Sequence, residues 1–302
     1  MPKLKNLFCT VLTHAAPSSN YRGESEENRT IIQKITKGDH EYAVVSPESM
    51  RNALRDILAG RELPSNRTRL HNYVGENGKP QLAVHFAEVP NADRFIDDFL
   101  FGYMVADPKK VQKWPKGHEA KRDSVLRMNM AVALSPYRFD ATFHQSPFHD
   151  EASAFQNADT SSLLHREVSY TAYQYPFALN LNDCATKLEW GRALLGAIAE
   201  LSNVAGGHAR SYFEMSPRSL VARLTPSLVC GFDTYGFSAD GGFSDLSRVR
   251  AGDLPGEEFL VAGALAREMK SEEKDRLLAE HVQFFDSPQV ALQQLAKDGL
   301  GA

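Results

Sequence analysis

The chain opens on a strand-like pattern. LKNLFCTVLTH, residues 4–14, alternates apolar and polar positions and predicts a first strand. AAPSSNYRGESEENRT, residues 15–30, is polar and turn-forming, and predicts a flexible loop. The period changes in VVSPESMRNALRDIL, where Met50, Ala53, Leu54, Ile57 and Leu58 make one helical stripe. Ser46 suits the N-cap, Pro47 the first helical position, and Glu48 complements the helix dipole. Residues 60–121 mix loops (LPSNRT, GENGKP) with the helix-like NADRFIDDFLFGYM, and read as an insertion. SVLRMNMAVALSP (124–136) predicts a buried strand, and REVSYTAYQYPFALNL (166–181) another that is aromatic and β-branched. Asp183 then caps a predicted helix running to about Val204, with Leu194, Leu195, Ile198 and Leu201 facing inward. ARSYFEMSPRSLVARL supplies a last core strand. EEFLVAGALA and one or two short helices after Lys270 follow.

Strand, helix, strand, strand, helix, strand is the βαββαβ order of ferredoxin-like and RRM-like α+β folds. In such a fold the two middle strands are joined by a tight hairpin. Here residues 137–165, about thirty, separate them, and connections of that length are uncommon and usually functional. The segment is rich in Phe, His, Ser and Gln without an apolar period, so it predicts a projecting arm.

Composition narrows the class. A chain of 302 residues with 42% hydrophobic and 24% charged residues supports a sizeable core. No apolar run reaches membrane-spanning length, the N-terminus makes a poor signal peptide, and no membrane partner is expected. Cys9, Cys184 and Cys230 are far apart, which excludes a disulfide framework or a cysteine metal site and points to the cytoplasm. The net charge of −4 is unevenly spread: residues 107–122 hold six basic and two acidic side chains, whereas residues 253–302 hold five and ten. Such asymmetry can steer an anion to one face, or let copies stack head to tail.

Catalytic motifs are missing. GENGKP lacks the spacing of a phosphate loop, and there is no nucleophile elbow. HQSPFHDE gathers His144, His149, Asp150 and Glu151, but at no helical ligand spacing. A metal-dependent RNA-processing nuclease centred on His144, His149 and Asp150 is therefore the secondary reading. The first reading is a binding site with no cofactor. Arg51 and Arg55 lie one turn apart on the capped helix. Solvated surface charge, with Glu48 and Asp56 as partners, is the simplest interpretation. Joined by Arg22 and Arg29 from the preceding loop, and by Ser46 and Ser49 at the helix start, they would instead make a phosphate cradle. Phe139, Phe143 and Phe148 on the arm could stack on unpaired bases.

THAAPSSNYRGESEENRT, VVSPESMRNALRDIL and HREVSYTAYQYPFALNL, taken together, resemble the DevR-type CRISPR-associated proteins. These are the repeated backbone (family seven) subunits of type I Cascade, and I-B or I-A is the subtype implied. The resemblance spans roughly the whole chain and is strongest over 7–58 and 165–220. It implies a single elaborated RRM-like domain over 1–302. The palm would comprise about 1–59, 122–136 and 166–302, with a finger-like insertion at 60–121 and a thumb arm at 137–165. It further implies a non-catalytic subunit that polymerises helically along CRISPR RNA, kinks the guide at regular intervals and presents it to target DNA. Expected partners are CRISPR RNA, target DNA, copies of the chain, other Cascade subunits, and helicase-nuclease or transposition proteins. The RNA-binding set would be Arg22, Arg29, Ser46, Ser49, Arg51, Asn52, Arg55, Arg138, Phe139, His144, Phe148, Arg166, Gly207 and Arg210. The aromatic strand motif of an RRM is absent from SVLRMNMAVAL, so base stacking on the sheet is not expected.

Overall fold

A computed structural model describes residues 6–26, 29–74, 80–106, 108–115, 118–145, 163–204 and 212–301. The chain begins with β1 (Asn6–Thr13), β2 (Ala16–Ser18), β3 (Tyr21–Glu26), β4 (Arg29–Ile32), β5 (Lys34–Lys37), β6 (His40–Val45) and α1 (Pro47–Gly60). The insertion follows with β7 (Arg67–Val74), β8 (Pro80–Phe86), α2 (Ile96–Phe101), β9 (Tyr103–Met104), α3 (Pro108–Val111) and β10 (Lys121–Arg122). Next come β11 (Leu126–Met128), β12 (Ala131–Ala133), β13 (Ala141–Gln145), β14 (Leu163–Glu167), β15 (Ser169–Thr171), β16 (Tyr173–Asn180), α4 (Leu188–Ala199) and β17 (Pro217–Thr225). The C-terminal part is α5 (Leu246–Arg250), β18 (Phe259–Gly263), α6 (Ala264–Glu268), α7 (Ser271–Ala279), β19 (Gln283–Phe285) and α8 (Pro288–Leu300).

The α+β class holds. The main sheet runs β19-β18-β17-β1-β16-β12-β6-β5, with β11 also paired to β16. At its centre β17, β1, β16 and β12 each run antiparallel to their neighbours. These are the fourth, first, third and second strands of the strand–helix–strand–strand–helix–strand core, so each helix connects strands that are not neighbours.

Alternation along β1 separates two cores. Leu7, Cys9 and Val11 join one face, packed with Met50, Leu54 and Leu58 of α1, Leu194 and Ile198 of α4, and Leu292 and Leu295 of α8. Leu12 belongs to the opposite face with Val221, Phe232, Phe237, Phe243 and Phe259. Thr10 Oγ1 donates to the Thr234 carbonyl at 2.9 Å, and Tyr235 Oη donates to Met130 O at 2.8 Å. Gln174 Nε2 donates to Phe237 O, and its Oε1 accepts from Phe237 N. The segment around 230–245 thus lies against this side of the sheet, which polar side chains would otherwise expose to solvent.

Several expectations need correction. The loop predicted over 15–30 contains β2, β3 and the first half of β4, because β14 and β15 supply pairing partners that local composition does not reveal. Residues 124–136 form two short strands rather than one, and 166–181 is divided among the end of β14, β15 and β16. The second core helix is capped at Lys187 and ends at Ala199; Asp183 lies in the preceding turn, its N–H bonded to Asn180 O. The arm stands on an antiparallel pair, β13 and β14, that also joins β4 in parallel. Its middle, including Phe148, His149, Asp150 and Glu151, lies outside the described residues.

Candidate functional site

The helix start is as expected: Ser46 Oγ accepts from Ser49 N at 3.2 Å, and the two hydroxyls lie 3.1 Å apart. That satisfies the cap locally. The candidate surface instead runs down one side of α1, where Glu48, Arg51, Asn52 and Arg55 share a face by helical spacing. Opposite them stand Arg67 from β7, Phe101 and Gly102 at the end of α2, Tyr103 and Met104 of β9, and residues 121–124 around β10. Together they line an open groove of about 640 Å³.

Each arginine is held without a neutralising carboxylate. Arg55 is 8% exposed, its guanidinium lying 4.6 Å from the Phe101 ring centroid, with Nη1 donating to Asn52 Oδ1 at 2.9 Å. Arg51 Nη2 donates to Leu126 O at 3.1 Å. Arg67 Nη2 donates to Gly102 O at 3.0 Å, and its guanidinium stacks on Phe86 at 4.9 Å. Among the described residues no carboxylate reaches ion-pair distance of these three, and Arg51 Nε and Arg55 Nε are buried without a hydrogen-bond partner. Burial lowers the pKa of Arg55 to about 10, with Arg67 and Arg51 pushing the same way and Asp97 and Asp98 opposing. Arg51 is lowered by burial, opposed by Glu48 and reinforced by Arg127 and Arg67; Arg67 is lowered by burial against the opposing Asp98 and Asp97. Cations so arranged favour an anion that can take several N–H donors.

Two buried carboxylates behind the groove position Arg67. Asp97, at the start of α2, accepts from Asn66 N and Arg67 N, both at 2.8 Å. Asp98 accepts from Asn66 Nδ2 at 2.8 Å and Asn91 N at 2.9 Å. They fix the start of β7, and hence Arg67, against α2. Burial raises the Asp98 pKa, an effect opposed by its bonds from Asn66 and Asn91. Gly102 turns the chain at φ +63°; a Cβ there would lie 2.4 Å from Arg122 O, so the close approach of β10 requires glycine.

The structure separates the residues expected to act together. Arg51, Asn52 and Arg55 share the groove. Arg29 does not line it: its Nε is 3.8 Å from Glu167 Oε1, and its guanidinium stacks on Phe139 at the arm's foot. Ser46 and Ser49 serve the cap. The simple surface-charge reading of Arg55 is also overturned by its burial. Arg138 is exposed near the arm, and Arg166 is half-buried on β14, its pKa lowered by burial. Arg22 and His144 lie on β3 and β13, but their side chains, with Phe148, Gly207 and Arg210, fall outside the described residues. Arg67 and Arg122 went unrecognised as site residues; their signal was the basic bias of RELPSNRTRLH and of 107–122. Among the described residues no three metal-ligating side chains cluster, and no helix is long and apolar enough to cross a membrane.

Fold and groove define an α+β protein able to take an anion along α1. No family model matches the sequence. The chain is 31% identical over 279 residues to the CRISPR-associated protein Cas7/Cst2/DevR of Myxococcus xanthus (strain DK1622), covering 90% of this chain and 91% of that protein. In structure it is similar to a chain of a CRISPR RNA-guided surveillance complex, pre-nicking, with a TM-score of 0.61, 13% identity and 97% and 100% coverage. A chain of another CRISPR RNA-guided surveillance complex gives a TM-score of 0.54, at 13% identity and 96% and 98% coverage. The chain belongs to the Cas7/Cst2/DevR family of CRISPR-associated proteins.

Proposed function

We propose that the chain is a non-catalytic backbone subunit of a type I Cascade complex, binding CRISPR RNA through the phosphates. Three half-buried or buried guanidiniums converging on one groove, none at ion-pair distance from a carboxylate among the described residues although Glu48 and Asp123 also line it, carry this reading. A backbone phosphate would accept from several of them at once, independently of base sequence. The ferredoxin-like sheet is then an RRM-like palm whose RNA site lies beside α1, because the 230–245 segment covers one sheet face. The insertion at 60–121 acts as a finger, and the β13–β14 stem as the foot of a thumb. Copies polymerise helically along the guide in the cytoplasm, the thumbs kinking it at intervals and leaving bases free to pair with target DNA.

Absorbance at 260 and 280 nm of the chain purified with its neighbouring subunits, followed by sequencing of bound RNA, tests this role. Short RNAs of uniform length with repeat-derived ends are expected. Nucleic-acid-free protein that also ignores added guide RNA would overturn it.

A further inference from the structure

The three groove arginines are held by one short buried helix. All six residues of α2 are buried, from Ile96 at 0% to Phe101 at 4% exposure. Its start holds the backbone of Arg67, whose N–H donates to Asp97 Oδ2 at 2.8 Å. Its end holds the same residue's guanidinium, through the Gly102 carbonyl at 3.0 Å. Phe101, the last residue of α2, carries the Arg55 guanidinium 4.6 Å from its ring centroid. Arg51 is reached one residue further on. Ser124 Oγ lies 3.0 Å from Leu100 O and also within bonding reach of Leu126 O, the carbonyl that accepts from Arg51. The helix itself is fixed in the core, where Phe99 meets Trp190 of α4 edge-on at 5.5 Å.

A guanidinium held in place before its anion arrives loses less freedom on binding, so the groups that hold it contribute to affinity. We infer that α2 is the common mount of Arg51, Arg55 and Arg67, and that Asp97 and Phe101 are positioning residues acting on RNA through Arg67 and Arg55. This rests on the RNA-binding reading above. The sign of the Asp97 effect separates two roles. Acting only through space, its negative charge would oppose an anion in the groove, and removing it would tighten RNA binding. Acting on Arg67, its loss weakens binding. Asp97→Asn turns one accepting oxygen into an amide donor that faces the backbone N–H of Asn66 or Arg67.

The test is a double-mutant cycle on the purified full chain, reading affinity for one single-stranded RNA of mixed sequence. Asp97→Asn should bind roughly fivefold more weakly than wild type, with a lower log–log salt slope, the coupling of residues in one network. In the Arg67→Ala background the same substitution should change affinity by less than about twofold, as for independent sites. Phe101→Leu, which keeps apolar bulk, should weaken binding roughly threefold in the wild-type chain and leave Arg55→Ala unchanged. Urea titration of each variant fixes conditions in which all are folded; if Asp97→Asn does not fold, the Phe101 cycle decides. Tighter binding by Asp97→Asn, or equal losses in both backgrounds, would overturn the inference while leaving the RNA-binding reading standing. A wild-type chain that ignores the RNA would overturn both.

Discussion

Two arginine-bearing regions of this molecule have opposite electrostatic character. At the arm's foot, Glu167 is almost fully buried, accepts from Ile32 N at 3.0 Å, and lies 3.8 Å from Arg29 and 3.6 Å from Lys34. Lys34 also stacks on Tyr137 at 4.3 Å. Beside α1, Arg51, Arg55 and Arg67 have carbonyls, an amide and aromatic rings as partners, but no paired carboxylate among the described residues. In the first cluster Glu167, with Glu41 3.8 Å from Lys34, sets two carboxylates against two cations and holds the stem to β4. The second has no counter-charge at ion-pair distance among the described residues. Counting arginines in sequence cannot separate these roles; the placement of the carboxylates does.

The sharpest way to break the comparison is to remove the buried counter-charge. Glu167→Ala should destabilise the fold by about 2 kcal/mol, because it leaves the buried Ile32 N–H without its acceptor and removes the anion that Arg29 and Lys34 share. A urea titration would measure this. A loss below about 0.5 kcal/mol, within the range of ordinary surface substitutions, would mean the cluster is not holding the stem.

The groove should respond with the opposite sign. Arg55→Met keeps bulk against Phe101 and removes a poorly compensated cation, so the RNA-free protein should gain about 1 kcal/mol at neutral pH while losing RNA affinity. The pH dependence follows from the lowered pKa of about 10. Below that pH the folded state carries an unfavourable charge. As pH rises through 10 towards the unfolded value, the folded state sheds this proton first, and wild-type stability increases relative to the variant. The advantage of Arg55→Met should therefore shrink above pH 10. A constant difference would place Arg55 in a solvated, unperturbed setting.

Much of the frame is legible from residue pattern. Ser46, Pro47 and the stripe from Met50 to Leu58 define α1 because cap and period agree locally, and the alternation of residues 4–14 marks β1, whose residues divide between two cores. Residues 15–30 misled because polar strands such as β3 and β4 are stabilised by distant partners. Asp183 offered a plausible cap, but the turn bonds from Cys184, Ala185 and Lys187 delay the helix. Of the site, Arg51, Asn52 and Arg55 were visible because helical spacing brings them together. Arg67 was not, because its position depends on the Asp97–Asp98 clamp between segments some thirty residues apart.

The salt dependence of RNA affinity tests the groove most directly, with Arg51→Ala, Arg55→Ala and Arg67→Ala compared with the wild-type chain on one single-stranded RNA. Each variant should bind roughly tenfold more weakly at moderate salt. Each should also lower the log–log salt slope, with a loss of roughly 0.7 for every phosphate contact removed. Unchanged slopes in all three variants would mean that phosphate does not enter this groove, and would contradict its role as the RNA site.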